Sequence, residues 1–221
     1  MNKVEAVIFD MDGLLIDTET ISFTLFQKVF SDYGYVISQE YYVNELVGRN
    51  IKGIRENILK EYGEDFQFDE IYYKKVKEMT EYIESKGVLL KKGALELIKY
   101  LHENKYKIAV ATSTKRERAE KLLNIVKVKD YFQEIICGDE VINSKPNPEI
   151  FLKAAEKLGV EPSNCIVLED SAAGIEAAHK AGMKGINVPD MKTPDDNMRG
   201  MAYRIEDSLL GVLEYLQSNK L

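Results

Sequence analysis

Two histidines, two cysteines and no tryptophan are all that the chain carries of three chemically versatile side chains, and each scarcity removes options. His102 and His179 both fall in amphipathic helical patterns, which predicts helix-surface positions. So few histidines exclude a His-Glu-x-x-His zinc site and disfavour a Ser-His-Asp triad, so acid–base work falls to carboxylates. Cys137 and Cys165 lie at or inside apolar strand-like runs and are expected to be buried free thiols, as suits a reducing cytoplasm. No apolar run approaches the roughly 18 residues of a membrane span. The N-terminal run places a charge among its apolar residues and lacks a small-residue cleavage site, so it reads as a first strand rather than a signal peptide. Positive charge is also short. Lys and Arg number 30 against 37 Asp and Glu, a net charge of -7, which argues against a nucleic-acid-binding face. An anionic substrate would need a local lysine cluster or a metal to draw it in. No Walker loop, dinucleotide glycine fingerprint or Gly-x-Ser-x-Gly elbow occurs.

What is present is an alternation of short β-branched runs with helical stretches, the pattern of an α/β protein with a parallel sheet. Strands are predicted at Val4–Asp10, Lys107–Thr112, Glu134–Cys137, Cys165–Glu169 and Gly185–Val188, with a weaker one near Tyr203–Ile205. Helices are predicted at Ala94–His102, Glu117–Val126, Glu149–Leu158 and Ala172–Ala181, with Gly159 and Gly182 at the C-cap positions. Residues 17–87 break the rhythm: Ile21, Leu25 and Val29, then Ile51, Ile54, Ile58 and Leu59, recur at helical spacing with no strand pattern. The expected division is an α/β core of residues 1–16 and 88–221 with a helical cap of residues 17–87 inserted. Pro189–Gly200 reads as an exposed, mobile connection.

The candidate chemistry sits at predicted strand ends, where ligands bind in open parallel sheets. Asp10 and Asp12 end the first strand in Phe9-Asp10-Met11-Asp12-Gly13; taken alone, such a pair also fits a solvated turn. Glu169 and Asp170 end a later strand. If the two strands are neighbours the four acids converge, and unit charges about 4 Å apart repel by roughly 4 kcal/mol at an effective dielectric of 20. Such a cluster calls for a cation, and an all-oxygen site suits Mg²⁺. Asp170 alone could equally cap the next helix. Thr112 ends the second predicted strand and is free to bond a phosphate oxygen, with backbone N–H groups near Ser113 adding to it. Thr114 and Glu117 have capping-box spacing, which assigns Thr114 to the helix start. Lys145 precedes Pro146-Asn147-Pro148, where Asn147 reads as an N-cap, and so is placed as a charge clamp for phosphate.

In order, Asp10-Met11-Asp12-Gly13, Thr112, Lys145 and Glu169-Asp170 resemble the four motifs of the haloacid dehalogenase superfamily, in particular its β-phosphoglucomutase and phosphoglycolate phosphatase-like branch. The resemblance spans essentially the whole chain. It implies a Rossmann-like core with a helical cap, and a phosphatase of a small phosphorylated metabolite; a cytoplasmic monomer is expected. It further implies Asp10 as nucleophile, Asp12 as acid and base, and Thr112, Ser113 and Lys145 as phosphate ligands. Mg²⁺ would be held by Asp10, the Asp12 backbone carbonyl and Asp170, with Glu169 orienting the metal or its water. Mutases of this branch carry a cap histidine where this chain has Ser22, and a cap arginine where it has Ile51. Both departures favour a phosphatase over a mutase. Arg49 and Asn50 are the leading cap candidates for substrate contact, with Lys52, Lys74, Lys75 and Lys77 behind them, although a solvated helix face explains each alone. Tyr41, Tyr42, Tyr72 and Tyr73 read as packing residues. A phospho-acceptor signalling domain and a silent sugar-phosphate binder are the competing classes. The first places its acceptor aspartate after the third strand, where Asp139 and Glu140 do lie here, but it is shorter and uncapped, and the inserted helical stretch and Lys145-Pro146 fit it poorly.

Overall fold

The computed structural model describes residues 3–219 of the chain and divides it into two compact units, Met1–Asp17 with Leu89–Leu221, and Thr18–Val88. In chain order the elements are β1 (Ala6–Phe9), α1 (Thr18–Asp32), α2 (Gln39–Tyr41), a π-helical turn (Tyr42–Leu46), α3 (Ile51–Tyr62), α4 (Phe68–Lys86), α5 (Ala94–Glu103), β2 (Lys107–Ala111), α6 (Arg116–Ile125), β3 (Glu134–Ile136), α7 (Glu149–Leu158), β4 (Cys165–Glu169), α8 (Ala172–Lys180), β5 (Lys184–Asn187), α9 (Asp196–Met201), β6 (Arg204–Ile205) and α10 (Leu209–Asn219).

The six strands form one parallel sheet in the order β3-β2-β1-β4-β5-β6. Helices cover both faces, which is why β1 (AVIF) and β4 (CIVLE) are buried at every position and read as continuous apolar runs instead of alternating ones. On one face Ala6, Ile8, Ala109 and Val167 pack with Phe151, Ala154 and Leu158 of α7 and Ala177 and Ala178 of α8. Strand order reverses between β1 and β4, and Phe9 pairs with Leu168 there, so the residues that follow each stand side by side at the switch point. Both cysteines are free and buried, and burial pushes each thiol up to about 11. His102 and His179 are exposed helix residues.

The second unit is helical, its described residues holding no strand, and aromatic packing organises it. Phe30, Tyr35, Tyr62 and Phe66 meet with ring centroids 4.7 to 6.4 Å apart. Phe26 joins Phe30, Tyr42 and Tyr72, and Tyr72 stacks on Phe68. Tyr73, read from sequence as packing, is instead 72% exposed. Lys75 is also not on a solvated face: it is 6% exposed, donates to Ser22 Oγ at 2.7 Å and lies 4.5 Å above the Phe26 ring. It falls on the stripe of α4 that includes Ile71 and Met79, four residues either side, and that stripe faces α1. The Pro189–Gly200 segment is largely exposed, as expected, but carries most of α9. Asp195 Oδ1 caps α9 by accepting from Met198 N–H, and Met198 is buried.

Candidate active site

β1 delivers Asp10 to the carboxyl edge of the sheet, and its N–H still bonds Leu168 O of β4 at 2.9 Å. The chain then turns sharply: Leu15 and Ile16 N–H both return to Met11 O, and Gly13 takes φ 83°. The glycine is needed twice over. Its φ is costly for other residues, and a Cβ there would stand 2.6 Å from Asp170 Oδ2.

Lys145 crosses from the loop before α7 to the centre of this edge, with 7% of its side chain exposed. Its ammonium donates to Asp10 Oδ1 at 2.5 Å, Glu169 Oε1 at 2.6 Å and Ala111 O at 3.2 Å, so three protons meet three acceptors. Glu169, 1% exposed, takes the remaining donors on its other oxygen, where Ser171 N–H and Oγ–H both reach Oε2 at 2.8 Å. The next helix comes close enough to hold it only because residue 174 is glycine, whose Cβ would lie 1.8 Å from Glu169 Oε1. Ser171, not Asp170, caps α8, accepting from Gly174 N–H. Asn187 was not anticipated from sequence. Fully buried at the end of β5, it donates to the carbonyls of Glu169 and Asp170 and fixes the backbone of the acid pair. A polar side chain inside an apolar strand run was its one visible signal.

Burial pushes the Asp10 carboxyl from 3.8 up to about 7, against the pull of Lys145 and with help from the charges of Glu169 and Asp12. Burial alone would lower Lys145, but Asp10 and Glu169 together hold it above the ordinary lysine value. The sign for stability follows. The folded state holds the Asp10 proton more tightly than the unfolded chain, so this group costs stability as pH rises from about 4 to about 7. Without metal, Asp10→Asn should therefore gain melting temperature relative to wild type between pH 5 and pH 8, by a few °C on the order set by domain size. A wild-type-to-variant difference in melting temperature that does not change with pH would contradict this.

At the end of β2, Thr112 is buried and its Oγ1 accepts from Thr114 N–H at 3.1 Å, while Ser113 is exposed. Thr114 does not cap α6; Lys115 occupies that position with no side-chain cap bond. The Thr114 hydroxyl instead donates to Asp12 Oδ2 at 2.8 Å, tying the second aspartate to a residue 102 positions away. Asn147 is also displaced from its expected role. Pro148 holds the N-cap position of α7, and Asn147 Oδ1 accepts from Glu149 N–H in an Asx turn. In the second unit Arg49 is exposed and Asn50 caps α3 through Gly53 N–H.

The donor set suits a hard cation. One carboxylate oxygen from each of Asp10, Glu169 and Asp170 lies within 4.8 Å of the others, and oxygen-only ligands are what Mg²⁺ prefers. Both Glu169 oxygens also accept from protein donors, Oε1 from Lys145 and Oε2 from Ser171. Asp12 stands outside the group of three, its carboxylate turned to Thr114.

A family model described as haloacid dehalogenase-like hydrolase matches residues 7–188. A phosphorylated carbohydrates phosphatase of Thermotoga maritima is 36% identical over 187 residues, covering 83% of this chain and 84% of the relative. The fructose-1-phosphate phosphatase of Escherichia coli is 31% identical over 190 residues, covering 84% and 97%. Among solved structures, a putative β-phosphoglucomutase from Thermotoga maritima superposes with a TM-score of 0.80 at 29% identity, covering 98% of this chain and all of the other.

Proposed function

The chain belongs to the haloacid dehalogenase-like hydrolases, and from that premise we propose that it is a magnesium-dependent phosphatase of a small phosphorylated metabolite, a sugar phosphate or a phosphoglycolate-like compound. The observation that carries this reading is Asp10 beside Lys145 at the β1/β4 switch point, with Asp170 across Gly13 and Asp12 held one turn away. The phosphatase names of the relatives support the substrate class.

An Asp10 carboxylate oxygen attacks phosphorus and the bond from phosphorus to the ester oxygen breaks, leaving an aspartyl-phosphate. Asp12, protonated, gives its proton to the departing alkoxide. In the second half Asp12, now a carboxylate, takes a proton from water as that water attacks phosphorus and the bond to Asp10 breaks. Lys145, with Thr112 and the Ser113 backbone, binds the phosphoryl oxygens and opposes their charge. Glu169 keeps Lys145 in place. Asp10, Asp170 and the Asp12 carbonyl would hold Mg²⁺, which when bound supplies positive charge against the transferring group.

A panel of phosphorylated sugars, phosphoglycolate and nucleoside monophosphates, assayed with Mg²⁺ and with EDTA, tests the reading. Phosphate release should fall by about 10²-fold or more when the metal is removed. Hydrolysis indifferent to EDTA would overturn the metal dependence. β-Glucose 1-phosphate with a bisphosphate primer belongs in the panel, because one structural neighbour is a putative β-phosphoglucomutase. Ser22, buried against Tyr42 and Lys75, stands where the mutases of this branch carry a histidine, so free phosphate is expected there and not glucose 6-phosphate.

A further inference from the structure

Asp190, in the loop after β5, has no place in the mechanism above, yet 93% of its side chain is buried beside the acid cluster, the exposed share being 7%. Its Oδ1 accepts from Lys91 Nζ at 2.5 Å. Its Oδ2 is buried with no hydrogen-bond partner among the described residues. That oxygen faces the bare Cα of Gly13, since a Cβ there would lie 3.3 Å from Asp190 Oδ2 and 2.6 Å from Asp170 Oδ2. Asp190 and Asp170 therefore look onto the same small space. A buried carboxylate oxygen left without a donor is costly. The charge of Asp17 adds to that cost.

We propose that Asp190 is an outer-sphere ligand of the metal, accepting a hydrogen bond from a water of hydrated Mg²⁺ bound by Asp170 and Asp10. Mg²⁺ dehydrates reluctantly and keeps several waters, whose protons need acceptors of this kind. Such outer-shell partners commonly govern affinity by 10- to 100-fold. Without a side chain at Gly13 both carboxylates can approach this turn. Lys91 offsets part of the Asp190 charge. The inference rests on Asp10 and Asp170 being the direct ligands.

Calorimetric titration of the metal-free, full-length protein with MgCl₂ tests both layers. Asp190→Asn, close to isosteric, should weaken Mg²⁺ binding by about tenfold or more. Lys91→Met, which leaves Asp190 without its counter-charge, should bind Mg²⁺ at least as tightly as wild type. Unchanged affinity in Asp190→Asn overturns the inference. So does weaker binding in both variants, because an ion pair that merely braces the loop predicts that result. Thermal melts of each metal-free variant establish that folded protein is being titrated, and Asp190→Ser serves where the asparagine variant melts early. Asp170→Asn separates the layers. If it binds Mg²⁺ as wild type does, the direct-ligand reading fails. If it loses binding while Asp190→Asn keeps it, only the outer-sphere role fails.

Discussion

Asp10→Asn is expected to lower hydrolysis of p-nitrophenyl phosphate by about 10⁴-fold or more while leaving the protein folded, on the scale seen when a nucleophile is removed from a covalent mechanism. The substitution keeps the shape of the side chain and an acceptor oxygen for Lys145, so the surrounding bonds have little cause to rearrange. What disappears is a carboxylate able to attack phosphorus. Because the buried Asp10 carboxyl is already costly near neutral pH, the asparagine variant should be at least as thermally stable as wild type at pH 8 without metal. Lost turnover joined to kept stability is the signature of chemistry, as opposed to structure. Rapid acid quenching of wild type during turnover should give phosphate on a peptide containing Asp10, and none in the variant. Hydrolysis unchanged in Asp10→Asn would remove Asp10 as the nucleophile, and with it the aspartyl-phosphate.

The parts of this site that can be read along the chain are those fixed by local pattern. Asp10, Thr112 and Glu169 each close a buried strand, so an apolar run ending in a polar residue places them at one edge of a parallel sheet. The helical unit shows itself through periodicity in the same way. Residues whose partner lies far along the chain are different. Thr114 has the spacing of a helix cap, but its hydroxyl answers to Asp12, whose position only the folded sheet provides. Lys75 looks like one more cation on a charged helix until the packing of α4 against α1 turns it onto Ser22. Asp190 belongs to a loop rich in turn residues, and its burial comes from Gly13 and Lys91, both supplied by distant segments. Asn187 is of the same kind, holding the backbone of the acid pair from the end of β5. Local propensity cannot encode contacts of this range, so supporting residues stay hidden where principal ones do not.

Lys145→Ala should be the most damaging single change in the core unit, to stability and to activity together. The ammonium is shared by Asp10 Oδ1 and Glu169 Oε1, both buried, and its removal leaves the two carboxyl groups without their shared counter-charge. Breaking a buried ion pair from one side costs about 3–5 kcal/mol, because the stranded charge has neither water nor counter-ion. Lys145→Arg is not expected to rescue it, since a planar guanidinium cannot direct three bonds from one nitrogen to Asp10, Glu169 and Ala111. The double variant Lys145→Ala/Glu169→Gln separates the two losses. Neutralising Glu169 relieves the repulsion, so urea denaturation should recover about half of the lost stability. Hydrolysis should stay at the level of Lys145→Ala, because the cation that met the phosphoryl oxygens is still missing. If the second substitution restored activity as well, Lys145 would be a structural counter-ion for the acids and not a phosphate ligand. If it restored neither, Glu169 would have a duty beyond orienting Lys145, and direct metal coordination would return as the reason it is buried at this strand end.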